Sequence, residues 1–196
     1  MIVGLTGGIG SGKSTIAKQL CKMGFVIYDT DSHAKRLIIE DKSVRQQIEQ
    51  LFGKEVYKDG RYQTAIVAQR VFADKTLLSQ LNAIVHPAVK NDILRWAEQN
   101  PSATCIVECA ILYQAGFDKL CDKVIAVTAP EELRIQRAIA RDQTDIEKVR
   151  ARMRAQDIEK SLQYADLVIN NDGNTKIENI CLQIEDFLHS IEAPNH

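Results

Sequence analysis

The fold of this chain is decided by the stretch MIVGLTGGIGSGKST, which occupies residues 1–15. The apolar residues Ile2, Val3 and Leu5 predict a short strand of a buried parallel sheet. They lead directly into Gly-x-x-x-x-Gly-Lys-Ser at Gly7–Ser14, the pattern of a phosphate-binding P-loop. The glycines let consecutive backbone N–H groups converge on phosphate oxygens at positive φ, where a Cβ atom would clash. The sequence therefore predicts an anion cradle between a strand and a helix.

Two side chains complete this pattern and point to a nucleoside triphosphate. Lys13 is expected to place a positive charge against the β- and γ-phosphates, and the Ser14 hydroxyl is expected to bind Mg²⁺. The N-terminus of the helix that starts here adds the positive end of its dipole. The expected triphosphate-binding residues of the loop are Gly8, Ile9, Gly10, Ser11, Gly12, Lys13, Ser14 and Thr15.

Composition excludes several classes of partner. The chain has 196 residues, with 25 Lys and Arg against 26 Asp and Glu, so we expect no extended basic surface for nucleic acid. Apolar runs such as Val124–Val127 are far too short to span a bilayer, and no membrane partner is expected. These features favour a cytoplasmic protein of one domain, or of a core with small inserted lobes.

Two acidic residues follow the second predicted strand, Phe25–Tyr28. Because ligands bind at the carboxyl ends of strands in an open parallel α/β sheet, Asp29 and Asp31 are candidate site residues. Either carboxylate could instead cap the N-terminus of the helix that begins near Ser32. The pattern leaves both readings open.

A third acid ends the next strand, Thr104–Val107. Glu108 is therefore a candidate for the Mg²⁺ shell, where it would act through a bound water, or for contact with the attacking group. Its alternative is structural, as a helix cap or an ion-pair partner of Lys13.

The stretch from about Ser32 to Asn100 shows helical periodicity and no strand pattern. Asp59-Gly60 predicts a turn, and His86-Pro87 predicts a break between two helices. Because a single crossover helix is much shorter, we expect an inserted helical lobe that holds the acceptor substrate.

The remaining patterns predict two more strands and the helices around them. Asp122–Val127 and Ala165–Ile169 complete five parallel strands. Pro130 is expected at the first position of a helix that ends at Arg141, and Thr144–Glu147 reads as a capping box. The fold class is therefore α/β.

Arginines are concentrated in the segment after the fourth strand. Arg134, Arg137 and Arg141 share one helix face by their spacing. They could form a solvated, salt-bridged helix pair, or a mobile lid whose guanidinium groups close on the transferring phosphoryl group. Asn171, after the last strand, is a candidate adenine contact, or else a left-handed turn residue.

These residues together resemble the dephospho-CoA kinase family, nearly from end to end. The residues that carry the resemblance are GLTGGIGSGKST, Tyr28-Asp-Thr-Asp31, Phe52-Gly53, Asp59-Gly60, Val71-Phe72, His86-Pro87, Arg137-x-x-x-Arg141-Asp142, Arg152-x-x-x-Gln156, Ala165-Asp166 and Asn171. The P-loop alone is shared by many kinases, whereas the ordered set is specific. Departures from the family pattern are Thr64 for a common arginine, with Arg61 as a candidate substitute, Gln114 for an acid, and Glu108 for a frequent aspartate.

The resemblance implies a three-layer α/β/α P-loop core with a five-stranded parallel sheet, an inserted helical substrate lobe and a small helical lid. The implied nucleotide-binding core is 1–31 with 101–129 and 160–196, the acceptor (CoA)-binding lobe is 32–100, and the lid is 130–159. The implied reaction is ATP-dependent phosphorylation of the ribose 3′-hydroxyl of dephospho-CoA, the last step of CoA biosynthesis, with Mg²⁺. A monomer or weak homo-oligomer is expected.

In-line transfer of the γ-phosphoryl group gives each candidate a role. Asp31 is expected to accept the proton of the attacking hydroxyl. Lys13 and a lid arginine, Arg141 first and Arg137 second, are expected to offset charge on the phosphoryl oxygens. The expected acceptor-binding residues are Asp29, His86 and Glu108.

Two alternatives use the same P-loop. A nucleoside monophosphate or other small-metabolite kinase would share the core and the lid, with a compact arginine set for the acceptor phosphate. A nucleotide-dependent switch would need an Asn-Lys-x-Asp motif, which the sequence lacks, and Asp-x-x-Gly where Glu108-Cys-Ala-Ile stands.

Overall fold

The computed structural model describes residues 1–156 and 158–192. Asp157, within the predicted lid, and residues 193–196, within the predicted core, lie outside the described residues. Two compact units are present. The first comprises Met1–Tyr28 with the described residues from Asn100 onward, and the second is Asp29–Gln99. The second unit nearly coincides with the predicted helical lobe, whereas the predicted lid belongs to the first unit.

In the described residues, strands and helices alternate along the first unit, whereas the second unit is mostly helical. The strands are β1 (Ile2–Gly7), β2 (Val26–Asp29), β3 (Tyr57–Lys58), β4 (Arg61–Tyr62), β5 (Cys105–Glu108), β6 (Lys123–Thr128) and β7 (Leu167–Asn170). The helices are α1 (Lys13–Lys22), α2 (Thr30–Glu40), α3 (Lys42–Phe52), α4 (Thr64–Ala73), α5 (Lys75–Glu98), α6 (Glu131–Asp142), α7 (Ile146–Arg154), α8 (Ile158–Tyr164) and α9 (Ile177–Glu192).

The first unit is built on a sheet whose five described strands lie in the order β2-β5-β1-β6-β7. Strand β1 pairs in parallel with β5 and β6, and β6 pairs in parallel with β7. The predicted three-layer α/β/α fold with a five-stranded parallel sheet is confirmed. This strand order places the carboxyl end of β1, where the P-loop starts, at the centre of the sheet.

Apolar side chains on both faces of the central strand explain its burial. Val3 and Leu5 are fully buried in a cluster with residues of α1 and α9, including Leu20 and Ile184. A Cβ atom at Gly4, between them, would meet Leu112, so the other face of β1 is also covered. A parallel strand that is covered on both faces reads as a continuous apolar run, which is why the sequence predicted it.

The predicted turn at Asp59-Gly60 is present, and it joins the strands of a short hairpin that was not predicted. Strands β3 and β4 pair antiparallel around Asp59 and Gly60, whose φ angles of 52° and 75° match a two-residue turn of type I′. The Tyr57 and Tyr62 rings, 5.3 Å apart, pack across the pair. The expectation of helices alone was wrong because strands of two residues are too short to show an alternating pattern.

Helix α5 continues through Pro87, so the predicted break at His86-Pro87 was wrong. Proline removes one intrahelical hydrogen bond but does not prevent a helix that packing holds on both sides. Val85, Val89 and Ile93 of α5 are buried, and α5 contacts α2, α3 and α4. The helix is the central support of the second unit.

Two predicted helix starts are shifted by one residue. Pro130 is the residue before α6 rather than its first residue. Helix α7 is capped by Asp145, whose Oδ1 accepts the Lys148 N–H at 2.9 Å, so the capping box predicted at Thr144 was wrong. Asp competes well with Thr as an N-cap because its carboxylate is a strong acceptor. Among the described helices, none is both long and apolar enough to cross a lipid bilayer.

Candidate active site

The P-loop joins β1 to α1 in a conformation that requires glycine at two positions. Gly10 and Gly12 have φ angles of 77° and 91°, in a region that residues with a side chain rarely adopt. A Cβ atom at Gly10 would lie 2.1 Å from the backbone oxygen of Arg134, and one at Gly12 would lie 2.2 Å from Nδ2 of Asn171. The loop therefore packs against α6 and against the segment after β7 through bare backbone.

A carboxylate, a hydroxyl and an ammonium group meet at the start of α1. The Ser14 hydroxyl donates to Oε1 of Glu108 at 2.5 Å, and Nζ of Lys13 lies 3.6 Å from the same oxygen. The Lys13 and Glu108 side chains are only 14% and 11% exposed. The ion-pair contact considered for Glu108 is thus present, and its role near a metal stays a prediction. Carboxylate and hydroxyl oxygens suit Mg²⁺, so the residues present fit this ion.

A cavity of about 560 Å³ lies against the P-loop. Its lining residues are Gly8, Gly10, Gly12, Lys13, Ser14, Thr15, Lys18, Arg137, Arg141, Asn171, Gly173, Thr175 and Ile177. The structure therefore brings both predicted lid arginines and Asn171 to the P-loop. Lys18 was not predicted, although it lies on α1 about one turn after Ser14 and its spacing could have suggested it. Ile9 and Ser11 are not among these lining residues.

The two lid arginines differ in their contacts. Arg137 donates to the Asn171 carbonyl at 3.1 Å. Arg141 makes two hydrogen bonds to Asp142, of 2.7 and 3.0 Å, and Arg152 adds a third of 2.6 Å. These two guanidinium groups hold the pKa of the Asp142 carboxyl well below its ordinary value. Arg141 therefore belongs to the salt-bridged cluster that was considered from the sequence, and it also lines the cavity. Its closure on a phosphoryl group stays a prediction.

Asn171 connects three parts of the first unit. Its backbone N–H donates to the Thr128 carbonyl at 2.8 Å, and its side-chain Nδ2 donates to the Ser11 carbonyl at 2.8 Å. The residue is 7% exposed. The left-handed conformation considered for it is wrong, because the described non-glycine residues with positive φ are Asp59 and Gln143. Its contact with adenine stays a prediction.

Two further residues touch the P-loop and were not assigned to the site from the sequence. Arg134 donates to the Ile9 carbonyl at 3.0 Å, and Gln156 accepts from the Ile9 N–H at 2.8 Å. Both lie more than a hundred residues from Ile9, at separations of 125 and 147. The shared face of Arg134 with Arg137 and Arg141 was the available signal. The spacing shows that the three arginines share a face, but it could not show that Arg134 is buried.

The predicted site residues of the second unit are described within that unit. Asp29 caps α2, because its carboxylate accepts from the Asp31 and Ser32 N–H groups at 3.1 and 3.4 Å and from the Ser32 hydroxyl at 2.6 Å. The capping alternative for Asp29 is therefore present in the structure. Asp31 lies in the first turn of α2 with an exposed side chain. His86 is half-buried on α5, and burial lowers the pKa of its imidazole.

Comparisons with known proteins agree with one another. A family model described as dephospho-CoA kinase matches residues 1–177. A curated dephospho-CoA kinase of Porphyromonas gingivalis is 44% identical over 163 residues, which cover 83% of this chain and 81% of that protein. Among solved structures, dephospho-CoA kinase from Campylobacter jejuni is 25% identical with a TM-score of 0.72, over 98% of both chains. The protein TT1252 from Thermus thermophilus is 31% identical with a TM-score of 0.83, over 97% of both chains.

The family match begins before the P-loop and extends to the first residue of α9. It thus includes Lys13, Ser14, Glu108, both lid arginines and Asn171, and it separates this protein from the two other classes of P-loop protein considered above. The chain belongs to the dephospho-CoA kinase family.

Proposed function

We propose that this protein transfers the γ-phosphoryl group of ATP to the ribose 3′-hydroxyl of dephospho-CoA, giving CoA and ADP, with Asp31 as the acceptor of the hydroxyl proton. The observation that carries the proposal is the cavity that Lys13, Arg137 and Arg141 share with the P-loop glycines. Membership of the dephospho-CoA kinase family supports ATP as the donor and dephospho-CoA as the acceptor.

The cavity provides the charges that phosphoryl transfer needs. The transferring group carries negative charge on its equatorial oxygens, and catalysis depends on placing positive charge and N–H donors around them. Lys13 contributes an ammonium group at the base of the loop, and Arg137 and Arg141 contribute guanidinium groups from α6. The N-terminus of α1 adds its dipole beneath the phosphates.

Mg²⁺ is part of the proposal, with the Ser14 hydroxyl as a ligand and Glu108 holding a water of the metal shell. Held by these two residues, the ion would supply positive charge that offsets the charge of the triphosphate. Glu108 and Ser14 already share a hydrogen bond of 2.5 Å, so a metal at this place would meet an arranged pair of oxygen atoms.

The acceptor is proposed to bind through the helical second unit. Asp31 is exposed in the first turn of α2, and the carboxylate that caps this helix is that of Asp29. A hydroxyl with a high pKa attacks more readily when a carboxylate takes its proton as the bond to phosphorus forms. Asp29 and His86 are proposed to contact the acceptor, and the activity is proposed to be cytoplasmic and to need no nucleic acid.

One assay tests the acceptor. ADP formation is measured with ATP and Mg²⁺ in the presence of dephospho-CoA, adenosine monophosphate or shikimate, each at the same concentration. Of the three acceptors, we expect turnover only with dephospho-CoA. The ³¹P NMR spectrum of the product should show a new phosphomonoester on the ribose. Turnover with adenosine monophosphate or shikimate, and none with dephospho-CoA, would refute the proposal. Size-exclusion chromatography with light scattering at assay concentration tests the expected monomer or weak homo-oligomer.

A further inference from the structure

Both polar groups of the Ile9 backbone are bound by side chains from the predicted lid. Nε of Arg134, on α6, donates to the Ile9 carbonyl at 3.0 Å. Oε1 of Gln156, between α7 and α8, accepts from the Ile9 N–H at 2.8 Å. Ile9 is therefore held at two points by parts of the chain that are distant in sequence.

Each of these bonds orients a whole peptide plane. In a trans peptide the C=O and the N–H point in opposite directions, and the described chain has no cis peptide bond. The Ile9 carbonyl and the Gly10 N–H belong to one plane, so the bond from Arg134 sets the direction of the Gly10 N–H. The Gly8 carbonyl and the Ile9 N–H belong to the other plane. The Ile9 N–H of this plane donates to Gln156. The Gly8 carbonyl, which points the opposite way, accepts a hydrogen bond from the Ser11 N–H at 3.0 Å.

The surroundings of Arg134 are energetically unfavourable for a positive charge, which is unexpected for a residue that only stabilises the fold. It is 8% exposed, burial lowers the pKa of its guanidinium, and its Nη2 has no hydrogen-bond partner among the described residues. The charge of Glu131 offsets only part of the effect of burial on Arg134, so burying this cation against a neutral carbonyl costs free energy that a well-packed apolar side chain would not cost. The guanidinium lies over Gly8, where a Cβ atom would be 2.4 Å from Nη2. Its position is thus explained by the loop it touches.

The residues on either side of Ile9 line the cavity, and Ile9 does not. Gly8 and Gly10 face the cavity of about 560 Å³, while the polar groups of Ile9 are turned toward Arg134 and Gln156. One side of the P-loop therefore faces the cavity, where the phosphates are proposed to bind, and the other side is hydrogen-bonded to the predicted lid.

We propose that Arg134 and Gln156 are positioning residues of the nucleotide site, which hold the two peptide planes around Ile9 so that the Gly10 N–H is presented to the triphosphate. The inference rests on nucleotide binding at the P-loop and is independent of the acceptor. It assigns α6 and the α7–α8 junction a structural part in the cradle. It also predicts that the Ile9 N–H itself is no phosphate ligand.

Variants of Gln156 test the proposal directly. Gln156→Leu removes the acceptor at similar size, whereas Gln156→Glu keeps an oxygen that can accept from the Ile9 N–H. We expect Leu to weaken ADP binding about tenfold, as the loss of one ordering hydrogen bond implies, and to lower kcat. Glu should restore most of the affinity, and the KM for dephospho-CoA should stay within about twofold for both. Arg150→Gln, an exposed change on α7, is the matched control and should leave ADP binding unchanged.

Binding is measured by calorimetry with ADP alone, so a failure of the acceptor assignment would leave this test intact. The proposal would be overturned if Gln156→Leu bound ADP as tightly as the parent or more tightly. Tighter binding would mean that Gln156 competes with phosphate for the Ile9 N–H. If a variant does not fold, ¹⁵N NMR of the parent protein decides. On adding ADP, the Gly10 amide should shift strongly and the Ile9 amide weakly, and the reverse order would overturn the proposal.

Discussion

The hydroxyl of Ser14 and the carboxylate of Glu108 are joined by a hydrogen bond of 2.5 Å. The carboxylate oxygen that accepts this bond also lies 3.6 Å from Nζ of Lys13. One residue at the end of β5 therefore meets the two P-loop side chains that were expected to contact the metal and the phosphates. Replacement of any of the three would change the surroundings of the other two.

Glu108→Gln should reduce the apparent affinity for Mg²⁺ and lower kcat. The amide keeps a hydrogen-bond acceptor for Ser14 but loses the charge that would attract the metal shell, and losses of this kind are about 10- to 100-fold. Mg²⁺ titrations of the kinase activity measure the effect. ADP binding without Mg²⁺ should not weaken, because the change removes an ion-pair partner of Lys13. Asp186→Asn, an exposed change on α9, should alter neither the Mg²⁺ affinity nor kcat. An unchanged Mg²⁺ dependence in Glu108→Gln would remove Glu108 from the metal shell.

Asp31→Asn should lower kcat by about 10²- to 10⁴-fold, the usual contribution of a positioned general base. ATP affinity should remain nearly intact, because the carboxylate is expected to act on the acceptor. Steady-state kinetics and ATP calorimetry separate the two effects. Glu40→Gln, an exposed acid on the same helix, is the control for a simple loss of charge. Turnover by Asp31→Asn at the parental rate would exclude Asp31 from the mechanism.

His86 should make the folded protein less stable in mild acid. Burial lowers its pKa from the ordinary value of 6.5, so the unfolded chain takes up a proton at a pH where the folded chain does not. Above pH 6.5, His86 is neutral in the folded chain and does not lower the free energy of unfolding. As the pH falls below 6.5 toward the folded-state pKa, the free energy of unfolding decreases, with a slope of at most about 1.4 kcal/mol per pH unit.

Urea unfolding of the parent and of His86→Gln at pH 7.5, 6.5 and 5.5 measures this dependence. The variant should show a flatter pH profile, whereas His189→Gln, which changes an exposed histidine on α9, should retain the parental slope. Identical pH profiles for the parent and His86→Gln would contradict the burial argument.

Asn171→Leu should destabilise the first unit and weaken nucleotide binding. The change leaves the Ser11 carbonyl without the Nδ2 donor that now lies at 2.8 Å, and an unsatisfied buried group costs about 1–3 kcal/mol. Chemical unfolding and ADP calorimetry measure the two effects. Asn170→Ser, at the exposed neighbouring position, should do neither. Parental stability and affinity in Asn171→Leu would show that this bond contributes little.

Much of the first unit could be predicted because its signals are local. Glycine spacing at Gly7–Gly12 and the apolar run of β1 lie within a few residues, so the strand, loop and helix followed from them. Asp29 and Glu108, the last residues of β2 and β5, could be named as candidates because strand ends are recognisable and ligands bind at the carboxyl ends of parallel strands. The capping role of Asp29 stayed undecided, since a carboxylate at such a place can cap a helix or bind a ligand equally well.

The errors arose where packing outweighs local preference. Pro87 would end an isolated helix, but Val85 and Val89 are buried on either side of it and hold α5 together. The hairpin at Tyr57–Tyr62 depends on a turn and a ring contact, and its strands are shorter than any pattern that periodicity can detect.

By itself, the sequence determined that this protein has a P-loop α/β core with an inserted helical lobe, and it indicated the family to which the chain belongs. Only the tertiary structure decided which side chains hold the loop: Asn171 on Ser11, and Arg134 and Gln156 on Ile9. The physical reason is separation along the chain. Periodicity, glycine spacing and capping act over a few residues, whereas these bonds join groups 125 to 160 residues apart, which meet only when the sheet has assembled.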